Sequence, residues 1–375
     1  MLTKLYIDNY RCFVNFEFNP ESLCLVVGDN GVGKSSIFDV VELLRDFIGG
    51  HISIKAFGSD TLTRWQSLLL QTFIMEVRIS ERNYLYELVI EHEPQRGQRR
   101  VSKERLLLDG QPLYVAQLDK AQFKAQLFRD DHSKGPEISF DWTRSGIGIL
   151  QAGPENKHLC EFREFVARMM VVGFLNPDPR LMLSVSDDES DVLGRHGESF
   201  VSWYRAIALE FPGAVADLMQ TLRELFPGFS ALALPESGDK RVLKAQFQPP
   251  ENEKKSRYNE YFFNELSDGQ RCLIILYALL HVYREKPCVL LLDEPDNFIA
   301  LREIQPWLAL LEEICDETGT SAQALIASHN PELINYLGAA RALKLERLNS
   351  GAARIASLQS VDGLPLAEIV ARGWD

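Results

Sequence analysis

An α/β fold, with a core split between the two ends of the chain, is predicted by three observations. A buried strand, a glycine-rich turn and an amphipathic helix follow one another between Leu23 and Leu44. Helical and strand-like runs alternate again from Phe262 onward. Between these ends lie a stretch of β-type alternation and then a stretch of helical periodicity.

Taken in order, Lys4 to Phe18 reads as two short strands around Asn9-Tyr10-Arg11. Leu23-Cys24-Leu25-Val26-Val27 is a continuous apolar run, the pattern of a strand covered on both faces. Ile37, Phe38, Val40, Val41, Leu43 and Leu44 then recur at helical spacing. Residues 1–60 are therefore assigned to the first half of the core. From Leu69 to Trp142 the runs QTFIMEVRIS, YLYELVIEHE, KERLLLDGQPLYV and PEISFDWT are β-like and broken by turns such as Asp109-Gly110, so 61–158 is expected to be a β-rich insertion lobe. ESFVSWYRAIALEF and AVADLMQTLRELF, punctuated by Pro212 and Pro227, make 159–261 a helical lobe that ends in a polar linker, Gln248 to Asn259. CVLLLDEP and AQALIASH are two buried strands of the second core half, 262–375.

The bulk properties narrow the class. The chain has 375 residues, 46% of them hydrophobic and 25% charged, which suits a globular protein with more than one core. MLTKLYIDNY carries no apolar run after its lysine, so no signal peptide is expected, and no apolar stretch is long enough for a membrane span. The expected location is cytoplasmic, with no membrane partner. Cys12, Cys24, Cys160, Cys272, Cys288 and Cys315 form no CxxC pair and sit mostly among apolar residues, as buried free thiols would. The net charge of −13 means that any contact with DNA needs a local basic patch.

Gly28-Asp29-Asn30-Gly31-Val32-Gly33-Lys34-Ser35 fits G-x-x-x-x-G-K-[ST] without a gap. Its glycines let backbone N–H groups curl around a β-phosphate, and the helix that follows offers its positive end. Lys34 would reach the β- and γ-phosphates and the Ser35 hydroxyl would hold Mg²⁺. In Cys288-Val289-Leu290-Leu291-Leu292-Asp293-Glu294-Pro295 a buried strand delivers Asp293, suited to Mg²⁺, and then Glu294, suited to orienting and deprotonating a water. His329 follows Asp293 by 36 residues, one strand–helix–strand unit, which predicts a place on the adjacent strand where it can sense a γ-phosphate. A second helix start that looks built for phosphate, Leu266-Ser267-Asp268-Gly269-Gln270, lies far from the first.

Together these residues resemble the ABC-type ATPase superfamily, and within it the RecF/SMC-like and OLD-type ATPases. LYIDNYRCF…FEFNPESLCLVVGDNGVGKSS is similar to that branch's opening strands and Walker A, NELSDGQ to its signature motif, LLLDEP to its Walker B and IASHNPELI to its switch-histidine segment. The resemblance covers the two end segments, with the motifs in the family's order. It implies an ABC-type ATPase head: a discontinuous P-loop core with a β-rich and a helical lobe inserted. It also implies that ATP and Mg²⁺ are the cofactors. Walker A roles fall on Gly28, Asn30, Gly31, Gly33, Lys34, Ser35 and Ser36, and signature roles on Ser267, Gly269 and Gln270. Asp293 and Glu294 take the metal and the water, and His329 the γ-phosphate. Arg11 stands where this branch has an arginine near the nucleotide. Asp296 stands in the D-loop, although Asn297-Phe298-Ile299-Ala300 lacks the common His-Pro ending. No Q-loop glutamine is evident, and Asn176 is the candidate for its place.

In this superfamily the signature helix of one subunit caps the nucleotide held by the other. The resemblance therefore implies a head-to-tail homodimer around ATP and leaves a higher oligomer open. Lys34 and Ser267 are 233 residues apart, and the insertion shows no sustained heptads, so no long coiled coil is expected. Only about 40 residues follow Ile334, too few for the nuclease found in OLD proteins, so an effector acting in trans is expected, most naturally a nuclease or toxin of an anti-phage defence system. The alternative is a RecF-like ATPase of repair or recombination, with DNA as partner. The densest basic run, Gln95 to Arg105, is either a phosphate-contacting hairpin or a solvated turn between strands.

Overall fold

The computed structural model describes the chain apart from residues 120–121, 140, 174–184, 187–192, 239, 250–257, 318–321, 348–350, 357, 359–363 and 373–375. It is a mixed α/β structure of two compact units, Met1–Met169 with Leu337–Asp375, and Met170–Tyr336.

In the first unit the opening strands Leu2–Asp8 and Phe16–Phe18 join Leu70–Ile79, Arg82–Glu93, Gln98–Leu108, Gln111–Asp119, Gln122–Phe128 and Lys134–Ser139 in one sheet. Every pairing in it is antiparallel. Alternation explains the pattern: Gln71, Phe73, Met75 and Val77 point into the core while their neighbours are wetter. Asp109 and Gly110 both have positive φ, 46° and 82°, and close the two-residue hairpin between Leu108 and Gln111. Beneath this sheet Glu104 is fully buried yet accepts bonds from Tyr86 (2.9 Å), Tyr114 (3.1 Å), Ser145 (2.6 Å) and the Gly146 N–H (2.9 Å). Burial raises its pKa, and these four donors oppose the rise.

Leu23–Val27 is buried at every position, as its unbroken apolar run predicts. It pairs in parallel with Ala342–Glu346, which pairs antiparallel with Arg354–Ala356. The helix Lys34–Ile48 leaves the loop after this strand and buries Ile37, Phe38, Val40, Val41 and Leu44.

In the second unit Met170–Gly173, Val289–Asp293 and Gln323–Ala327 run in parallel, in that spatial order. The helix Asp268–Glu285 buries an unbroken run from Arg271 to His281, so it is an interior helix rather than a surface one. At 18 residues it is the longest among the described residues, and no long coiled coil is found among them. Phe200–Glu210 and Pro212–Leu225 are helices as their periodicity predicts, with Pro212 at the first position of the second, where its missing N–H costs nothing. The same span also carries the strands Phe229–Ala233, Lys244–Phe247 and Asn259–Phe262, paired antiparallel. Their four or five residues per strand are too short to show a period against a polar background.

All six cysteines are buried thiols outside any disulfide. Among the described residues no helix is long and apolar enough to cross a membrane.

Candidate functional site

The phosphate loop belongs to the first unit. Gly28, Gly31 and Gly33 have φ of 146°, 80° and 118°, conformations that a side chain resists. Their surroundings differ. A Cβ on Gly28 would run into the Leu345 carbonyl oxygen, and one on Gly33 would stand 2.5 Å from the Cys12 sulfur and 3.2 Å from the Phe13 ring. Gly31 has nothing within 4 Å. Gly28→Ala should therefore destabilise the protein by about 2–3 kcal/mol or more, from strain plus a clash with backbone, and Gly31→Ala by about 1 kcal/mol from strain alone. Urea midpoints of the two variants in the absence of nucleotide check this, and the reverse order would contradict the packing described.

Gly33 caps the helix with no side-chain bond, and the first turn holds no acidic residue, so the positive end of the dipole suits an anion. Lys34 is buried, and its ammonium bonds back to the carbonyls of Gly28 (2.8 Å) and Asp29 (3.3 Å), which holds the charge over the loop. Ser35 and Ser36 follow in the first turn. Arg11 comes to this turn from a distant strand end. Its guanidinium donates to the Ser36 hydroxyl at 3.2 Å and pairs with Asp39, while its backbone sits at a φ of 47° fixed by an N–H bond to Thr61. Arg347 bonds to the Gly31 carbonyl at 3.1 Å. Donors, glycines and helix end together fit a polyphosphate.

The acidic residues belong to the second unit. Asp293 ends a strand buried at every position and is 1% exposed. Asp293 pairs with Ala327 across the sheet, so the 36-residue spacing does bring His329 beside it, just past the adjacent strand. His329 Nδ1 lies 2.9 Å from a Glu294 carboxylate oxygen. Glu294 holds a φ of 52°, unusual for a residue with a side chain, and its N–H bonds to the Ala327 carbonyl at 2.8 Å. That twist turns the side chain off the strand line to meet the histidine. Asp296 accepts a bond from Ser328 (2.8 Å), whose hydroxyl also takes the Asn330 N–H (2.9 Å). A buried carboxylate suited to a hard cation beside a second carboxylate paired with an imidazole can bind Mg²⁺ and orient a water.

The second helix start has an ordinary structural role as well. Ser267 caps Asp268–Glu285: its hydroxyl accepts from the Gln270 N–H, and the Gln270 side chain accepts from the Ser267 N–H at 3.1 Å. Gly269 is there because a Cβ would stand 2.7 Å from the Phe298 carbonyl oxygen, on the segment that follows Asp296. Gly269 and the segment after Asp296 are thus packed together within this unit. Asn176 lies outside the described residues.

Sequence reading missed five groups that the structure adds. Arg195 pairs with Asp293 at 3.3 Å, and its carbonyl takes the Gly173 N–H at 2.6 Å; His196 bonds to the Gly173 carbonyl at 2.8 Å. Cys12, Asp39 and the Leu345 carbonyl contact the phosphate-loop region. None has a local signal, because each arrives through a long-range contact.

A parallel sheet with a glycine loop opening onto a helix, and a strand that ends in paired acids beside a histidine, define a P-loop ATPase head of the ABC type. Two family models match the chain: "AAA domain, putative AbiEii toxin, Type IV TA system" over residues 185–335 and "AAA domain" over residues 4–135. Both matches are to AAA-type domains and lie at the two ends of the chain, which marks it as an ATPase. No curated protein matches it significantly. Among solved structures, one from work on ATP-driven dimerisation and DNA-stimulated activation of SMC ATPases aligns at 16% identity with a TM-score of 0.32, covering 46% of this chain and 97% of that one. The cbiO1 protein of Clostridium perfringens, part of the ABC transporter complex cbiONQ, aligns at 14% identity with a TM-score of 0.39, covering 99% and 92%.

Proposed function

We propose that this ATPase is a switch that dimerises head-to-tail around ATP and controls a separately encoded effector, a nuclease or toxin, in prokaryotic anti-phage defence. Lys34 and the loop Gly28–Ser36 hold the phosphates. Ser35 and Asp293 hold Mg²⁺, Glu294 deprotonates the attacking water, and His329 contacts the γ-phosphate. Ser267, Gly269 and Gln270 serve the nucleotide of the other copy, with Arg11 and Asp296 beside the two nucleotide-facing surfaces. The family-model match over residues 185–335, described by an AbiEii toxin and a toxin–antitoxin system, supports the defence reading over DNA repair.

A switch has an output only if something binds its two states differently. Purified from its native host through a tag, the protein should bring down a second chain with ATP and release it without. Recovery of the ATPase alone in both states, together with full phage resistance from this single gene, would count against the proposal.

A further inference from the structure

The basic run Gln95–Arg105 is the one sequence feature that the ATPase site does not use. It starts in the 3₁₀ turn Pro94–Arg96 and continues along the strand Gln98–Leu108. The end of this hairpin forms one side of a cavity of about 670 Å³, within the range of small-ligand sites. None of the lining residues belongs to the loop Gly28–Ser36. Four cations line it, Lys55, Arg96, Arg99 and Arg100, against the two carboxylates Glu91 and Glu93. In a chain of net charge −13 that is a local reversal of sign. The walls also include Leu69 and Trp142, 45% and 38% exposed, large apolar groups left open to solvent.

Backbone bonds hold these parts in place. The His92 N–H bonds to the Leu69 carbonyl (2.8 Å), the Val101 N–H to that of Trp142 (3.0 Å) and the Ile54 N–H to that of Thr143 (2.7 Å). Arg99 is fixed by the Phe57 carbonyl at 3.1 Å. Arg100 pairs with Glu91 at 2.8 Å and Arg96 with Glu93 at 3.4 Å, both solvent-exposed pairs that contribute little and can be exchanged for a stronger acceptor. A phosphate dianion is such an acceptor, because it takes bidentate, charge-assisted bonds from guanidinium groups.

His92, 1% exposed, also lines the cavity. Gln71 donates its amide N–H groups to Asn9 and Thr61, so its oxygen faces His92 Nε2 at 2.9 Å and that nitrogen carries the proton. Nδ1 is then a bare acceptor, and it has no partner among the described residues. Burial, and next the charge of Arg99, push the imidazole down to about 4, so it is neutral at pH 7.

We infer that this cavity binds a phosphorylated nucleoside, with the phosphate on the arginine cluster and Lys55 and the base against Trp142. Cationic donors beside an exposed indole match both halves of such a ligand. The ligand has two sources, a free nucleotide or the 5′-phosphorylated end of a nucleic acid strand, and these share the recognising chemistry.

The test is calorimetric titration of the full chain carrying Lys34→Ala, which weakens the phosphate loop as a competing site. The probes are the four ribonucleoside monophosphates, inorganic phosphate, and oligothymidylate with a 5′-phosphate or a 5′-hydroxyl. At least one monophosphate should bind more tightly than about 1 mM. Adding Arg100→Gln or Trp142→Ala, each confirmed folded by circular dichroism, should weaken that binding at least tenfold. Binding of the 5′-phosphorylated strand alone, weakened by the same variants, assigns the strand end as the source. The inference is overturned by no binding of any nucleotide or strand, by inorganic phosphate binding as tightly as every nucleotide, or by affinity unchanged in either variant.

Discussion

Glu294→Gln should abolish ATP turnover while ATP binding stays within a few-fold of the parent. The carboxylate is placed 2.9 Å from His329 by a backbone φ of 52°, and glutamine keeps both the shape and an oxygen for that contact. What glutamine lacks is the basicity to take a proton from water, so the rate constant should fall by about 10²–10⁴. Lys34 is anchored to the Gly28 and Asp29 carbonyls, so the nucleotide should still be held by its ammonium and the helix end. With hydrolysis blocked, the ATP-bound dimer should accumulate on size exclusion. Turnover at the parental rate would remove Glu294 from the role of general base. Lost ATP binding would recast it as a structural residue.

Ser267→Arg should lose turnover by at least about hundredfold while a single chain still binds ATP, because the new side chain fills the place proposed for the other copy's γ-phosphate. The variant also breaks the capping box with Gln270, which by itself costs about 1 kcal/mol of helix stability. Ser267→Asp separates the two roles. Aspartate is as good a cap as serine, so stability should return, but its charge repels a γ-phosphate and turnover should stay lost. Recovery of turnover with Ser267→Asp would leave this serine as a helix cap and nothing more.

Much of this was legible in the sequence, for definite physical reasons. Leu23–Val27 and Val289–Asp293 read as buried strands because both faces are covered, so no polar residue interrupts them. The strands of the large sheet read through their alternation, and Asp109-Gly110 through the positive φ its turn demands. The spacing of Asp293 and His329 carried their adjacency, because a strand–helix–strand unit has a nearly constant length. What stayed hidden is what depends on distant partners. Nothing near Arg195 announces that it meets Asp293, and nothing near Gly28 announces the Leu345 carbonyl that forbids a side chain there. Ser267 and Gly269 show a further difficulty. Their residue types fit a phosphate-facing signature, and the structure shows that a capping box and the Phe298 carbonyl call for the same types.

The head-to-tail dimer is the central claim, and mixing two inactive variants tests it most directly. Lys34→Ala lacks the phosphate grip and Ser267→Arg lacks the surface offered to the other copy, so each homodimer has two broken sites. A mixed dimer places both defects in one site and leaves the other whole. Equal mixing, with subunits free to exchange, should restore turnover to about a quarter of the parental rate, since about half of the dimers are mixed and each has one working site of two. Turnover no higher than the sum of the two variants alone, with both folded and ATP still bound by Ser267→Arg, would contradict sites shared between subunits.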